Sequence, residues 1–572
     1  MSAPRWRAWL ESPRAPWWLA LLAFALSLPA LGAGLCTEDW VLRDLALGAH
    51  RLNLYSTLES AADVREGRMA GILPWLTTPE LRLSFFRPLA SFWASFDFRV
   101  LGDAFWLMHL ESLLLFTGLV LAVSRFLARV APSALVAGLA ALVYAVDDAH
   151  GHAVGWVANR NALLAALFGV LALAAHDRWR REGARRDGWL APLFFALSLG
   201  SSELGLGTLG YVVAHAVFLD RGPRRALAVI PSGAVAAAWL ALYRGLGHGA
   251  RASGIYLDPL SAPLDFAREL PGRLGALFLG LFAYPPADAW VTLGDGAHLA
   301  LGLGGLFMVV LLALVLGPSA RFALAGVVLS TLPATATSPS DRTLFLPGVG
   351  AALCVALVFD RALERRSLWL VAAPLAAVHL LLAPVLLPWR TLTMRRFHDQ
   401  VAAGTASAYA SVVSGDELVV ALTAKDFYFC SLLRAMRANL ERGPSPAVVC
   451  LAATRGEAVL ERVDDNTLSL RVAEGYLAEP FNRLYRARSA PLGVGTRIYT
   501  GTLEAVVTEA TPAGEPITVT FRFNWPLSSE KLRFVRWNGE RFVPAPPPRA
   551  GERRLLSAPT ASAAEAPPHA PR

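Results

Sequence analysis

Two adjacent acids, Glu38 and Asp39, stand just after an apolar run that begins at Pro16 and Trp17. Neighbouring carboxylates at a membrane edge repel each other and lack water, so they need a counter-charge or a chemical task. Arg87, His109, Asp147, Asp148, His150, His152, Arg160, Glu203, Asp341 and Arg342 fall at or near the ends of later apolar runs. Acids, histidines and arginines gathered over one end of a helical bundle suit a defined chemistry. An arginine fork pairs phosphate oxygens, and a carboxylate takes the proton of a hydroxyl during an in-line displacement.

Composition sets the frame that positions these groups. The chain has 572 residues, 55% of them hydrophobic and 17% charged, with a mean hydropathy of +0.44. That is too apolar for a soluble protein of this length and predicts a polytopic membrane protein. The net charge of +9 comes almost wholly from arginine, Lys425 and Lys531 being the only lysines. The arginines lie in short clusters between apolar runs, as in cytoplasmic loops, so no nucleic-acid partner is expected. Cys36, Cys354, Cys430 and Cys450 show no metal-ligand spacing, and Cys430 with Cys450 could form a disulfide.

Arg5, Arg7 and Arg14 precede the first apolar run, which places the N-terminus in the cytoplasm and makes that run a retained signal anchor. The acid pair then emerges on the far side, at the start of a long first loop. Counting onward with loop charges predicts about eleven spans. Leu274 to Tyr284 is read as re-entrant or interfacial, because a crossing there would put Arg361, Arg365 and Arg366 outside. The expected fold is mostly α: a polytopic helical bundle over residues 1–390, with a small extracytoplasmic α+β domain over 391–543 and a Pro/Ala-rich disordered tail over 544–572. A multi-pass protein of a bacterial inner membrane is expected.

A resemblance follows from several motifs together. Phe86-Arg87-Pro88-Leu89, then Asp97, Gly102 and His109, then His150, Ala153, Val154, Trp156 and Arg160 resemble the membrane core of C-type (GT-C) glycosyltransferases. The nearest group is the transmembrane O-mannosyltransferase-like proteins that often carry tetratricopeptide repeats. Ser202-Glu203 stands where that family has Lys-Glu. Asp341-Arg342-Thr343-Leu344-Phe345-Leu346-Pro347 looks like its E-R-Y-x-Y-L-P, and Glu38-Asp39 occupies the position of its first-loop acids. The chain departs from the pattern at Asp147, His152 and Ala162, and it lacks the repeats.

The resemblance implies an inverting transfer of a sugar from a polyprenyl-phosphate donor to a hydroxyl acceptor on protein, glycan or lipid, at the extracytoplasmic face. Asp39 would be the general base with Glu38 in support. Arg87, His109, His150, Arg160, Glu203, Asp341 and Arg342 would hold the donor phosphate and substrate. No metal ligands are assigned, and a divalent cation is left open as cofactor. The alternatives are a transporter or flippase for a lipid-linked substrate, and a non-catalytic anchor for the C-terminal domain. Each residue also has a plain structural reading: Asp39 as the i,i+4 ion partner of Arg43, Arg87 as a headgroup anchor, Glu203 as acceptor for backbone donors at a broken helix, and Asp341 paired with Arg342.

Overall fold

The structure, a computed structural model, describes residues 4–48, 53–293, 295–440 and 445–556. The chain forms two compact units: Met1–Thr57, Leu83–Ala250 and Tyr256–His398 make the first, and Leu58–Arg82, Arg251–Ile255 and Asp399–Arg572 the second.

The first unit is a helical membrane core. Among the described residues, seven helices are long and apolar enough to cross a bilayer: Ala15–Gly32, Phe105–Val130, Arg160–Glu182, Leu227–Gly245, Gly296–Ala336, Phe345–Glu364 and Arg366–Ala408. An eighth arises if Ala134–Val146 and Asp148–Val154, bent by 40°, count as one span. The chain is therefore a multi-pass membrane protein. The count is below the expected eleven for two physical reasons. The runs around 298–316 and 322–336 join through a single 3-10 turn at Gly317–Ala320. Arg185–Ser201 and Glu203–Phe218 are each under 18 residues.

Phe345–Glu364 is the most enclosed of the seven and is built to be, with Gly348, Gly350, Ala351 and Ala352 letting its neighbours approach closely. Two buried tyrosines brace its first two turns. Tyr144 Oη donates to the Phe345 carbonyl at 3.0 Å, and Tyr211 Oη donates to that of Leu346 at 3.1 Å while accepting from Gly350 N at 2.8 Å. Glycine serves the same purpose between Pro263–Phe282 and Asp295–Leu316. A Cβ on Gly305 would lie 1.7 Å from the Gly275 carbonyl oxygen, and one on Gly275 would lie 2.0 Å from that of Gly302. Pro263–Phe282 is not among the seven candidate spans. The chain before it bonds through Leu257 N to the Ala336 carbonyl, and the chain after it bonds through Ala287 N to Asp341.

The second unit holds two sheets. Leu418–Ala424 is buried at every position, as expected of a parallel strand flanked on both sides; it pairs in parallel with Ala447–Ala453 and Leu532–Trp537, and Phe542–Pro544 closes the edge antiparallel. The helix Phe427–Leu440 connects the first two of these strands. The other sheet is antiparallel, in the order Arg553–Leu556, Ala458–Arg462, Thr467–Val472, Pro516–Phe523, Leu503–Ala510, Arg497–Tyr499. Arg553–Leu556 lies in the stretch that composition assigned to a tail, yet it pairs with Ala458–Glu461; residues 557–572 of that stretch lie outside the described residues. Cys430 and Cys450 are buried free thiols, so the disulfide considered from sequence is not formed.

Candidate active site

Several of the polar residues singled out in the sequence meet at one irregular segment, residues 147–160, between two apolar helices: Asp39 at Ala158, Arg342 at Trp156, and Asp341 through an arginine it shares with Asp148. At its C-terminal end lies Asp39. One carboxylate oxygen accepts from Cys36 N at 2.9 Å and the other from Ala158 N at 2.6 Å, with the side chain wholly enclosed. Burial pushes its carboxyl up to about 7 against the pull of those two backbone donors. The Ala158 carbonyl in turn accepts from Tyr55 Oη at 2.8 Å and Asn161 Nδ2 at 2.7 Å. Asp39 thus fixes the first-loop turn to this segment. Arg43 does not pair with it, as helical spacing suggested, but reaches Asp103 and stacks over Phe105. Glu38, the preceding residue, is half-buried.

Arg160 is consumed by structure. It pairs with Asp97, bonds to Glu111 at 3.2 Å and Ser112 Oγ at 3.1 Å, and donates to the Met108 carbonyl. Asp97, quoted in the sequence for its motif but not as a site residue, is fully enclosed, and burial raises it to about 7 despite that arginine. His109 is also enclosed, its Nε2 bonded to the Gly34 carbonyl oxygen at 2.8 Å. His150 was expected to face a donor. It instead stacks on Phe345 at 4.7 Å with Tyr144 and Phe116 around it, and neither ring nitrogen has a partner, so it is a core side chain.

Asp341 pairs with Arg390 at 2.5 Å rather than with its neighbour Arg342. Arg390 also holds Asp148 at 2.8 Å, whose other partner is Tyr284 Oη at 2.7 Å. Asp288 completes the group, 3.5 Å from His152 Nδ1 and 2.5 Å from Ser340 Oγ. Burial raises Asp341; Asp288 feels the same burial, but His152, Ser340 and Arg390 outweigh it and hold its carboxyl low. Arg390, Asp288 and Tyr284 were not foreseen. Arg390 carried a signal, a charge at the end of an apolar run, that loop-charge counting treated as topology.

Two arginines remain. Arg87 pairs with Glu203 at 2.8 Å and lies over the rings of Tyr55 and Phe85 at 5.1 and 4.7 Å. The Glu203 carboxylate has its second oxygen buried without a partner. Arg342 is different. It is half-buried, lies over Trp156 at 4.9 Å, and has no ion pair or hydrogen bond among the described residues. Among those residues, no group of three or more His, Cys, Asp or Glu side chains is arranged to hold a metal ion.

Fold and site together define a multi-pass membrane protein whose helical core carries buried ion pairs and, beside one of them, the arginine Arg342. No family model matches the sequence, and no curated protein matches it. Among solved structures, the chain is similar to the archaeal oligosaccharyltransferase AglB of Archaeoglobus fulgidus in complex with an inhibitory peptide and a dolichol-phosphate: 13% identity, 84% of this chain and 66% of that one, TM-score 0.39. It is also similar to the Archaeoglobus fulgidus oligosaccharyltransferase tethered to an acceptor peptide containing the NVT sequon: 12% identity, 78% and 65%, TM-score 0.42. The chain spans just under two thirds of the length of these proteins. The functional reading rests on the geometry of this chain's own residues.

Proposed function

We propose that the chain is a GT-C-type membrane glycosyltransferase that moves a sugar, with inversion, from a polyprenyl-phosphate donor to a hydroxyl acceptor at the extracytoplasmic face. The observation that carries this reading is the unpaired Arg342. Arg87, Arg160 and Arg390 are each matched to carboxylates. A cation left without an anion beside apolar helices is costly unless an anion arrives, and its flat seat on Trp156 presents a fork suited to phosphate oxygens.

In the proposed reaction the acceptor oxygen attacks the anomeric carbon as the carbon–oxygen bond to phosphate breaks. The electron pair leaves on the phosphate, where Arg342 meets growing negative charge, and the acceptor proton passes to a carboxylate. We assign that proton to Glu38, the half-buried acid beside Asp39 in the first loop. Both oxygens of Asp39 already accept backbone hydrogen bonds in an enclosed site, which makes Asp39 a positioning residue for Glu38 and the turn.

The test uses the purified chain and labelled polyprenyl-phosphate sugars. Arg342→Gln is expected to weaken donor binding about tenfold or more, as loss of a charge-assisted contact does. Glu38→Gln should leave binding intact and reduce turnover by about two orders of magnitude or more. Unchanged donor affinity in Arg342→Gln, or full turnover in Glu38→Gln, would overturn the assignment.

A further inference from the structure

The second unit carries a cavity that the sugar-transfer reading does not use. It is a cavity of about 670 Å³, open to solvent and lined by Arg68, Glu80, Arg486 and Arg497, with Ser489 and Tyr499 among the polar groups of its wall. Three guanidiniums face one carboxylate. That carboxylate, Glu80, already accepts from Thr78 Oγ1, and Arg497 is engaged by Glu504 at 3.1 Å.

The two remaining arginines are held differently. Arg486 is 5% exposed, and its Nε and Nη1 donate to the carbonyls of Leu76 at 2.6 Å and Ala490 at 2.8 Å, which fixes the plane of the fork while Nη2 takes no part in these bonds. Neutral carbonyls orient a guanidinium without cancelling its charge. Arg68 lines the same cavity, and its Nε is buried with no partner. An unsatisfied donor on a charged group costs more than one on a neutral group. Burial lowers Arg486 to about 10, with Glu80 opposing the fall and Arg68 adding to it. With Arg497 engaged by Glu504, one carboxylate, Glu80, stands against the two guanidiniums of Arg68 and Arg486, which leaves the site an excess of positive charge. A pre-aimed fork, a second guanidinium with an orphaned N–H, and a cavity of small-ligand size are the parts of an oxyanion receptor.

We propose that this cavity binds a ligand through a carboxylate or phosphate group, held between Arg68 and Arg486, with the ligand body against the hydroxyl-bearing wall at Ser489 and Tyr499. The two sources of that chemistry, an acidic sugar and a phosphate, are separated by the probe.

The experiment is calorimetric titration of the full-length protein in detergent with inorganic phosphate, with glucuronate, and with glucose as the neutral control. Dissociation constants on the order of 1–10 mM are expected for at least one of the two anions, as for a small ligand with few contacts, and no binding is expected for glucose. Phosphate alone identifies a phosphate-bearing ligand, and glucuronate alone a carboxylate-bearing one. Arg486 also braces two backbone carbonyls, so the decisive variant is Arg68→Gln, which should weaken anion binding about tenfold. Phosphate also meets Arg342 of the proposed donor site, so the titrations are repeated in Arg342→Gln, where anion binding should persist and the added Arg68→Gln should still weaken it about tenfold. Binding of neither anion, equal binding of glucose, or unchanged affinity in Arg68→Gln overturns the proposal.

Discussion

Replacing Asp39 by asparagine separates two physical effects that act on the same side chain. Its two backbone hydrogen bonds, at 2.6 and 2.9 Å, favour the ionised form, whereas complete enclosure favours the neutral one. Burial is the larger influence, and the carboxyl rises from the ordinary 3.8 to about 7. A group whose folded pKa lies above its unfolded value binds more protons when folded between those values, so its contribution to stability falls as pH rises from about 4 to about 7. At about 1.4 kcal/mol per pH unit, the ceiling on that loss is about 4 kcal/mol. Asparagine cannot ionise, but its NH2 group replaces one of the two oxygens that accept backbone N–H bonds, a cost of about 1–3 kcal/mol at every pH. Asp39→Asn should therefore be the less heat-stable protein near about pH 4, where the wild-type acid is largely neutral, and should narrow or reverse that gap near about pH 8. Unfolding followed by intrinsic fluorescence of the 17 tryptophans measures it. Asp97 and Asp341 are also raised and tilt both proteins alike, so the difference between the two curves isolates Asp39. If Asp39→Asn falls as far behind the wild type at the higher pH as at the lower, ionisation costs the folded protein nothing and the two N–H donors balance burial.

Arg160→Gln should destabilise the folded core by about 3–5 kcal/mol, because it leaves the enclosed Asp97 without its cation, and thermal unfolding at neutral pH reads this out. Gly305→Ala should drive apart the helices Pro263–Phe282 and Asp295–Leu316, because the new Cβ would lie 1.7 Å from the Gly275 carbonyl oxygen; proteolysis of the chain around 283–294 should accelerate, and an unaltered digestion pattern would contradict the contact.

What the sequence disclosed and what it hid follow from the range of the interactions involved. Apolar runs announce membrane helices because the bilayer demands about twenty such residues in a row, whereas the run Ile498 to Val507, which reads as one strand, divides into the antiparallel pair Arg497–Tyr499 and Leu503–Ala510. The strands Ala458–Arg462 and Thr467–Val472 were missed. Both are short, and charged residues at Glu461, Arg462 and Arg471 dilute their pattern. Gathering Asp39, Arg160, Asp341 and Arg342 around one segment was legible from topology, because each lies near the same end of its span. Pairing was not legible. Asp148 and Arg390 are separated by 242 positions in sequence, and only the packed bundle brings them to 2.8 Å. Local rules therefore put Asp39 with Arg43 and Asp341 with Arg342, and in both cases a distant partner won.

That outcome has a physical cause which bears on function. An ion pair between near neighbours at a membrane edge is flexible and wet, and is worth little. A pair such as Arg390 with Asp341, enclosed and supported by Asp148, is costly to bury and is stable only as a complete set. A bundle that completes such sets around Arg160, Arg390 and Arg87 spends those cations on its own architecture. Arg342 stands one residue from a member of such a set, on the same short 3-10 turn as Asp341, and is excluded from it. Since Asp341 is committed to Arg390, the charge of Arg342 stays available to an incoming anion. Asp341→Asn should therefore disturb Arg390 and stability first, and donor affinity only secondarily; a variant that loses donor binding while keeping its heat stability would move the phosphate site from Arg342 to the Asp341–Arg390 pair.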